Sequence, residues 1–189
     1  RYKTVNNVRV RKDSVPVINY KSFEALSKKL SGTAKGTIQT SFSDEVIFSD
    51  KRIGVSGSAS TIPYRELKFS EGGLFTMDDL TTAKPVAVVN SAFKKLTNES
   101  ILLNKAIQYK DKVLTIVGVI DDPKNVTPQL FFPITLLTDK DLQANTPDVY
   151  FEAFRTEDVP VIKEEINEWL AANYSNADDS FTIQTNEYR

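Results

Sequence analysis

Two Asp-Asp pairs are the first places in this sequence to look for chemistry, Asp78-Asp79 and Asp121-Asp122. Neighbouring carboxylates can hold a divalent cation or divide acid and base roles between them. Asp121-Asp122 follows an apolar run, and loops that leave buried strands often carry ligands. No third carboxylate sits at a ligand spacing, and Asp-Pro at 122–123 is ordinary turn chemistry, so a turn is expected there. Asp78-Asp79, in MDDL, is expected at a loop or helix start. Gly72-Gly73 lacks the GK[ST] ending and following helix of a phosphate loop. Lys12-Asp13 and Lys28-Lys29 are too sparse for an electrostatic funnel and read as solvated faces. Phe131, Phe132, Tyr150, Phe151 and Phe154 fall on expected strands, where aromatics fill a core more often than they form a sugar platform. An exposed subset of them would make a partner surface. Asn98-Glu99-Ser100, Asn125-Val126-Thr127 and Asn173-Tyr174-Ser175 fit the glycan sequon, a triplet common by chance.

The chain has no cysteine and no histidine. That removes disulfides, thiolate nucleophiles, zinc-thiolate sites, and the commonest general base and metal ligand. Catalysis would rest on carboxylates, Lys, Tyr or Ser. No catalytic, cofactor-binding or metal-ligating residue is assigned, and the chain is read as a non-enzyme. Its 189 residues allow one large domain or two small ones. With 40% hydrophobic and 26% charged residues, the composition is that of a soluble globular protein. A net charge of −1 predicts no broad attraction to nucleic acid or anionic membrane. No stretch approaches the roughly 18–20 apolar residues of a membrane span. No signal sequence is present and the chain begins at Arg1, so an excised domain is expected.

The elements that would position these residues follow from periodicity. Val8 and Val10 alternate with Arg9 and Arg11 in a half-buried strand. Ser22 is the expected N-cap of a helix whose Phe23, Leu26 and Leu30 recur at helical spacing, with Gly32 closing it. Ile38, Phe42, Val46 and Phe48 share one face of a long strand, and Ser49-Asp50-Lys51 turns it into a hairpin with Ile53, Val55 and Gly57. SGSAS at 56–60 is expected to end that strand or begin a linker. Pro85 introduces VAVVN, a buried strand. Asn90 or Ser91 then caps a short helix whose Ala92, Phe93 and Leu96 share a face. Lys105–Tyr109 and Val113–Ile120 form a second hairpin, and the second of these strands, apolar on both faces, is expected to be central and buried. Gln129–Phe132 is a short strand stopped by Pro133, and ITLLTDKDLQA supplies one or two helical turns. Asp148–Arg155 is a strand. Asp158 caps a helix with Pro160 in its first turn and Ile162, Ile166, Trp169 and Leu170 as its stripe. Phe181–Thr185 closes the chain. Strand–helix–strand at both ends suggests paired βαβ units with residues of about 60–145 inserted as a β-rich lobe.

The stretch Glu71–Pro123 resembles the MacB-type periplasmic core domain of ABC-transporter permeases, in the MacB/FtsX/LolC group. The matching pieces are Gly72-Gly73-Leu74-Phe75 with Asp78-Asp79, Val86–Asn90, Phe93–Leu96, Asn104-Lys105-Ala106-Ile107 and Leu114–Asp122. Leu130-Phe131-Phe132-Pro133 is similar to that family's strand ending in proline. Gly73 stands where arginine is usual, and Leu103-Asn104 replaces the glycine before Lys105. The resemblance implies an α+β fold of two lobes outside the cytoplasmic membrane. One is a porter-like lobe of paired βαβ units, residues 1–60 and 145–189. The other is an inserted β-rich, Sabre-like lobe, residues 61–144. It also implies a periplasmic location, with transmembrane helices just before Arg1 and just after Arg189. The implied role is to couple ATP-driven helix movement to efflux, or to a protein outside. The implied partners are a second permease copy, a separate ATPase domain or subunit, and a periplasmic adaptor or an exported peptide, lipid or lipoprotein. No cofactor and no nucleic acid are implied. The alternatives are an extracytoplasmic ligand-binding sensor domain and, more remotely, a carboxylate-only hydrolase.

Overall fold

The computed structural model describes residues 6–12, 17–63, 65–174 and 181–187. Its elements run β1 (Asn6–Lys12), α1 (Tyr20–Leu30), β2 (Ala34–Phe48), β3 (Lys51–Ser60), β4 (Phe69–Gly72), α2 (Met77–Thr81), β5 (Val86–Asn90) and α3 (Ser91–Thr97). They continue with β6 (Ala106–Tyr109), β7 (Lys112–Ile120), β8 (Gln129–Pro133), a 3-10 turn at Ile134–Leu136, α4 (Asp139–Ala144), β9 (Asp148–Ala153), α5 (Val159–Asn173) and β10 (Phe181–Glu187). The chain divides into two compact units, residues 1–39 with 138–189, and residues 40–137. The sequence suggested a division near 60 and 145. The observed one falls inside β2, because the β2–β3 hairpin beyond Gln39 pairs within the second unit.

In the first unit the strand order is β10-β1-β9-β2, every neighbour antiparallel. Each strand–helix–strand piece is therefore split around a strand of the other, the ferredoxin-like arrangement. Phe23, Leu26 and Leu30 of α1 and Ile162, Ile166, Trp169 and Leu170 of α5 are buried, together with alternate residues Val149, Phe151 and Ala153 of β9. The Phe23 and Phe151 rings stack at 5.9 Å. Gly36 sits opposite Phe151, and a Cβ there would come within 2.7 Å of that ring and 2.9 Å of Phe23. Helix α1 starts earlier than expected, because Asn19 is the cap: its Oδ1 accepts the Ser22 N–H at 3.0 Å and the Ser22 hydroxyl at 2.9 Å. Asp158 stands at the N-cap of α5 without a side-chain cap bond. Its carboxylate accepts from the Arg155 guanidinium at 3.3 and 3.4 Å instead.

In the second unit the ladder returns on itself. β2 pairs β3, β3 runs parallel to β8, β8 antiparallel to β5, β5 parallel to β7, β7 antiparallel to β6, and β6 rejoins β2 at Gln108 opposite Ile47. Closure of this kind covers most strand edges, and β4 pairs with β7 alone among the described strands. Phe42, Tyr109 and Phe132 pack ring on ring, at 5.1 Å (Phe42–Tyr109), 5.7 Å (Phe42–Phe132) and 5.7 Å (Tyr109–Phe132). The SGSAS segment does not end its strand: Ser56–Ser60 pairs with Gln129–Pro133. Its small residues serve the packing, since a Cβ on Gly57 would lie 2.1 Å from the Phe42 ring. All five residues of β5 are buried. Val86 and Val88 pack with Phe75 and Ile120 under the partly buried Leu67, Phe69 and Leu74. β7 is central in pairing, touching β4, β5 and β6. It is not buried throughout as expected, because Val113 and Thr115 near the hairpin end face solvent.

Candidate functional site

The most organised polar feature of the second unit lies where β5 becomes α3. Asn90 is 0% exposed, and its amide uses its whole hydrogen-bonding capacity. Oδ1 accepts the Phe93 N–H at 3.1 Å, capping α3, and the Gln129 N–H at 2.9 Å. Nδ2 donates to the Thr127 carbonyl at 2.9 Å and to Gln129 Oε1 at 3.4 Å. Ser91 adds a second tie: its hydroxyl donates to the Ile120 carbonyl at 3.0 Å and accepts the Asp122 N–H at 3.0 Å. The 121–128 loop is thus fastened to the start of α3 from both ends. Between them lies an open groove of about 330 Å³, lined by Lys95, Leu96, Pro123, Asn125, Val126 and Pro128. Of the α3 residues expected to share a buried face, only Phe93 is buried, edge-on to Phe48 with ring centroids 6.0 Å apart. Leu96 turns onto the groove. A helix of seven residues buries one side chain in the core and leaves the rest half-buried or exposed.

The residues singled out for chemistry hold structure. Asp121 and Asp122 mark a strand exit, their N–H groups bound by the Lys68 carbonyl at 2.8 Å and by Ser91. Asp79 closes a capping box with Thr76 at 2.8 and 3.1 Å, so Asp78-Asp79 opens α2. Among the described residues no group of three acids could hold a metal ion. Lys28 pairs with Glu24 at 3.2 Å on the exposed face of α1. Asp13 and Ser175 lie outside the described residues, and with them the Lys12-Asp13 pair and the third sequon. Phe132 and Phe151 are core, Phe131 and Tyr150 are half-buried, and Phe154 is exposed.

Sequence reasoning passed over Glu71. Its carboxylate accepts from Lys94 Nζ at 2.6 Å, the Leu102 N–H at 2.9 Å and the Leu103 N–H at 3.3 Å. Burial pushes its pKa up, but the Lys94 ammonium and the two backbone donors outweigh that and hold it below the usual carboxylate range. An acid before two glycines carries no periodic signal, so nothing short of the fold identifies it. The glycines themselves explain why this stretch is recognisable. Gly72 has φ +56°, and a Cβ there would stand 2.0 Å from the Val117 carbonyl oxygen. A Cβ on Gly118 would stand 2.1 Å from the Gly73 carbonyl oxygen. The strands β4 and β7 meet here at a distance only glycine permits. Gly73 itself has open space around a Cβ, so a side chain such as arginine fits there. Asn104, in place of the expected glycine, adopts φ +67°, a left-handed conformation that asparagine tolerates.

Residues 3–169 match the MacB-like periplasmic core domain family. No curated protein sequence matches the chain. Among solved structures it is similar to the periplasmic region of MacB from Actinobacillus actinomycetemcomitans, with a TM-score of 0.74 and 18% identity over 95% of this chain and 88% of that one. It is also similar to the extracellular domain of the noncanonic ABC-type transporter YknZ from Gram-positive bacteria, at TM-score 0.76 and 12% identity over 95% and 100% of the two chains. A permease-protein domain from Porphyromonas gingivalis aligns at TM-score 0.69 and 13% identity over 98% and 90%. These likenesses show a shared fold. With the match across most of its length, the chain belongs to the MacB-like periplasmic core domain family, whose members are parts of ABC-transporter permeases.

Proposed function

We propose that the chain is the extracytoplasmic domain of a FtsX/MacB-like permease and transmits ATP-driven movement of membrane helices to an exported substrate or partner protein outside, with no chemistry of its own. The family match over residues 3–169 carries this reading. The ladder between β1 and β10 supports it, since Asn6 lies opposite Glu187 and the chain enters and leaves the first unit on neighbouring antiparallel strands. That geometry suits a unit carried on two adjacent membrane helices. On this reading the ferredoxin-like unit is the porter-like lobe and residues 40–137 are the inserted Sabre-like lobe. The partners are a second permease copy, a separate ATPase domain or subunit, and an adaptor or exported cargo outside. The test is to replace this domain in the intact transporter by a flexible Gly/Ser linker. ATP hydrolysis should continue while export or partner activation is lost. Export that persists unchanged would refute the reading. The ligand-binding sensor alternative requires a kinase or cyclase domain in the same polypeptide, where the permease requires four membrane spans.

A further inference from the structure

We propose that the groove between α3 and the 121–128 loop captures an extended segment of a partner protein that carries apolar side chains beside a carboxylate. Three observations converge on it. Leu96 is 50% and Val126 87% exposed, and both line the groove with Pro123 and Pro128, so apolar surface is concentrated there. Its polar lining is Ser91, whose hydroxyl is already engaged, with Lys95 and Asn125 as donors and no acid. Lys95 enters no ion pair among the described residues, and Asn125 uses Oδ1 to accept the Thr127 N–H at 3.0 Å, which leaves its Nδ2 as a donor. The walls are preformed, because Asn90 and Ser91 fasten the loop to α3, and a preformed site avoids the ordering cost of binding.

The size and the prolines narrow the occupant. A volume of about 330 Å³ is at the small end of ligand sites, enough for one or two side chains. Pro123 and Pro128 present no N–H, so a segment lying here is read by its side chains and not by strand addition. Lys95 and Asn125 together match a carboxylate, and the apolar lining matches the residues beside it.

The inference rests on the proposed function only for whose segment is bound. It is tested on this chain alone, without membrane or ATPase, so either reading can fail without the other. The isotope-labelled chain is titrated with a blocked pentapeptide carrying two leucines followed by glutamate, and with its glutamine counterpart, following amide shifts by NMR. The glutamate peptide should shift Lys95, Leu96, Asn125 and Val126 saturably, about threefold or more tighter than the glutamine peptide. Lys95→Gln should abolish that difference, and Val126→Ser should weaken both peptides about tenfold through lost apolar contact. Both substitutions are at exposed positions and leave the core intact. Equal binding of the two peptides, or no shift with either at about 10 mM, overturns the proposal. So do equally strong shifts of the same amides by decanoate, which would make the occupant an acyl chain. Shifts of these amides with chain concentration alone would make it a second copy and overturn the proposal too.

Discussion

Replacing Asn90 by alanine should cost far more than one side-chain amide suggests, because one buried group serves a helix start, a strand start and a loop. The substitution strands the Phe93 and Gln129 N–H groups and the Thr127 carbonyl. The Phe93 N–H is buried, so its loss carries a full desolvation penalty of about 1–3 kcal/mol. The other two groups are part-buried and can recover some hydration, adding about 1 kcal/mol together. The total of about 2–4 kcal/mol corresponds to a fall in Tm of roughly 5–12 °C for a chain of this size. Thermal melts of Asn90→Ala measure the sum. Amide exchange locates it, with Phe93 and Gln129 losing protection before residues of β2.

Asn90→Asp separates the amide's two roles. The carboxylate still accepts from Phe93 and Gln129, but it sets a negative oxygen against the Thr127 carbonyl, where Nδ2 donated. Asn90→Asp should therefore lose the tie to the loop while keeping the cap of α3, with amide exchange rising around Thr127 and staying protected at Phe93. A Tm of Asn90→Ala within about 2 °C of wild type, with unchanged exchange at Phe93, would refute the claim that this amide holds the loop.

Other perturbations follow from the same region. Gly72→Ala and Gly118→Ala, whose Cβ atoms would fall 2.0 and 2.1 Å from backbone oxygens, should each destabilise by about 3 kcal/mol or more, whereas Gly73→Arg should fall within about 0.5 kcal/mol in urea melts. Glu71 has a folded pKa below its unfolded value of about 4.3, so its contribution is complete above that pH and is lost as pH falls through the folded value. Melts of Glu71→Gln should be about 1–2 kcal/mol less stable at neutral pH, with the gap to wild type closing below about pH 4. Ile116→Asp buries an unpaired charge in β7 and should unfold the second unit at a cost of several kcal/mol, seen as lost near-UV circular dichroism.

The parts of this fold that could be read from the sequence were those where one period dominates. Phe23, Leu26 and Leu30 announced α1, and Ile162, Ile166, Trp169 and Leu170 announced α5, because apolar residues recur at helical spacing chiefly where one face of a helix is buried. The order of the strands could not be read this way. Nothing in Val8 or Val149 tells that β9 lies between β1 and β2, since alternation reports a face and not a neighbour. The end of β3 was misplaced because serine and glycine usually loosen a strand, whereas here the missing side chain of Gly57 makes room for the Phe42 ring. Ser22 was expected to cap α1 and Asn19 does so instead, because asparagine and serine are both good capping residues and only geometry decides between them. The groove was invisible altogether. Leu96 read as core at helical spacing from Phe93, and Val126 read as the middle of a chance sequon.

The recognisable motif and the candidate site are therefore linked by cause. Gly72 and Gly118 bring β4 against β7, and β7 delivers Asp122 to the point where Ser91 receives its N–H. Glu71, one residue before the close approach, holds Lys94 of α3 and the Leu102 and Leu103 N–H groups that follow it. Asn90 then fixes the far end of the loop through Thr127 and Gln129. Each of these residues is constrained by contacts inside the fold, so each is replaceable only at a cost in stability. Lys95, Leu96, Asn125 and Val126 stand on the frame they make and carry little of its stability. Substitutions there can alter what is bound without unfolding what holds it, which is the division of labour expected when one scaffold presents a binding surface whose exposed residues are free to vary.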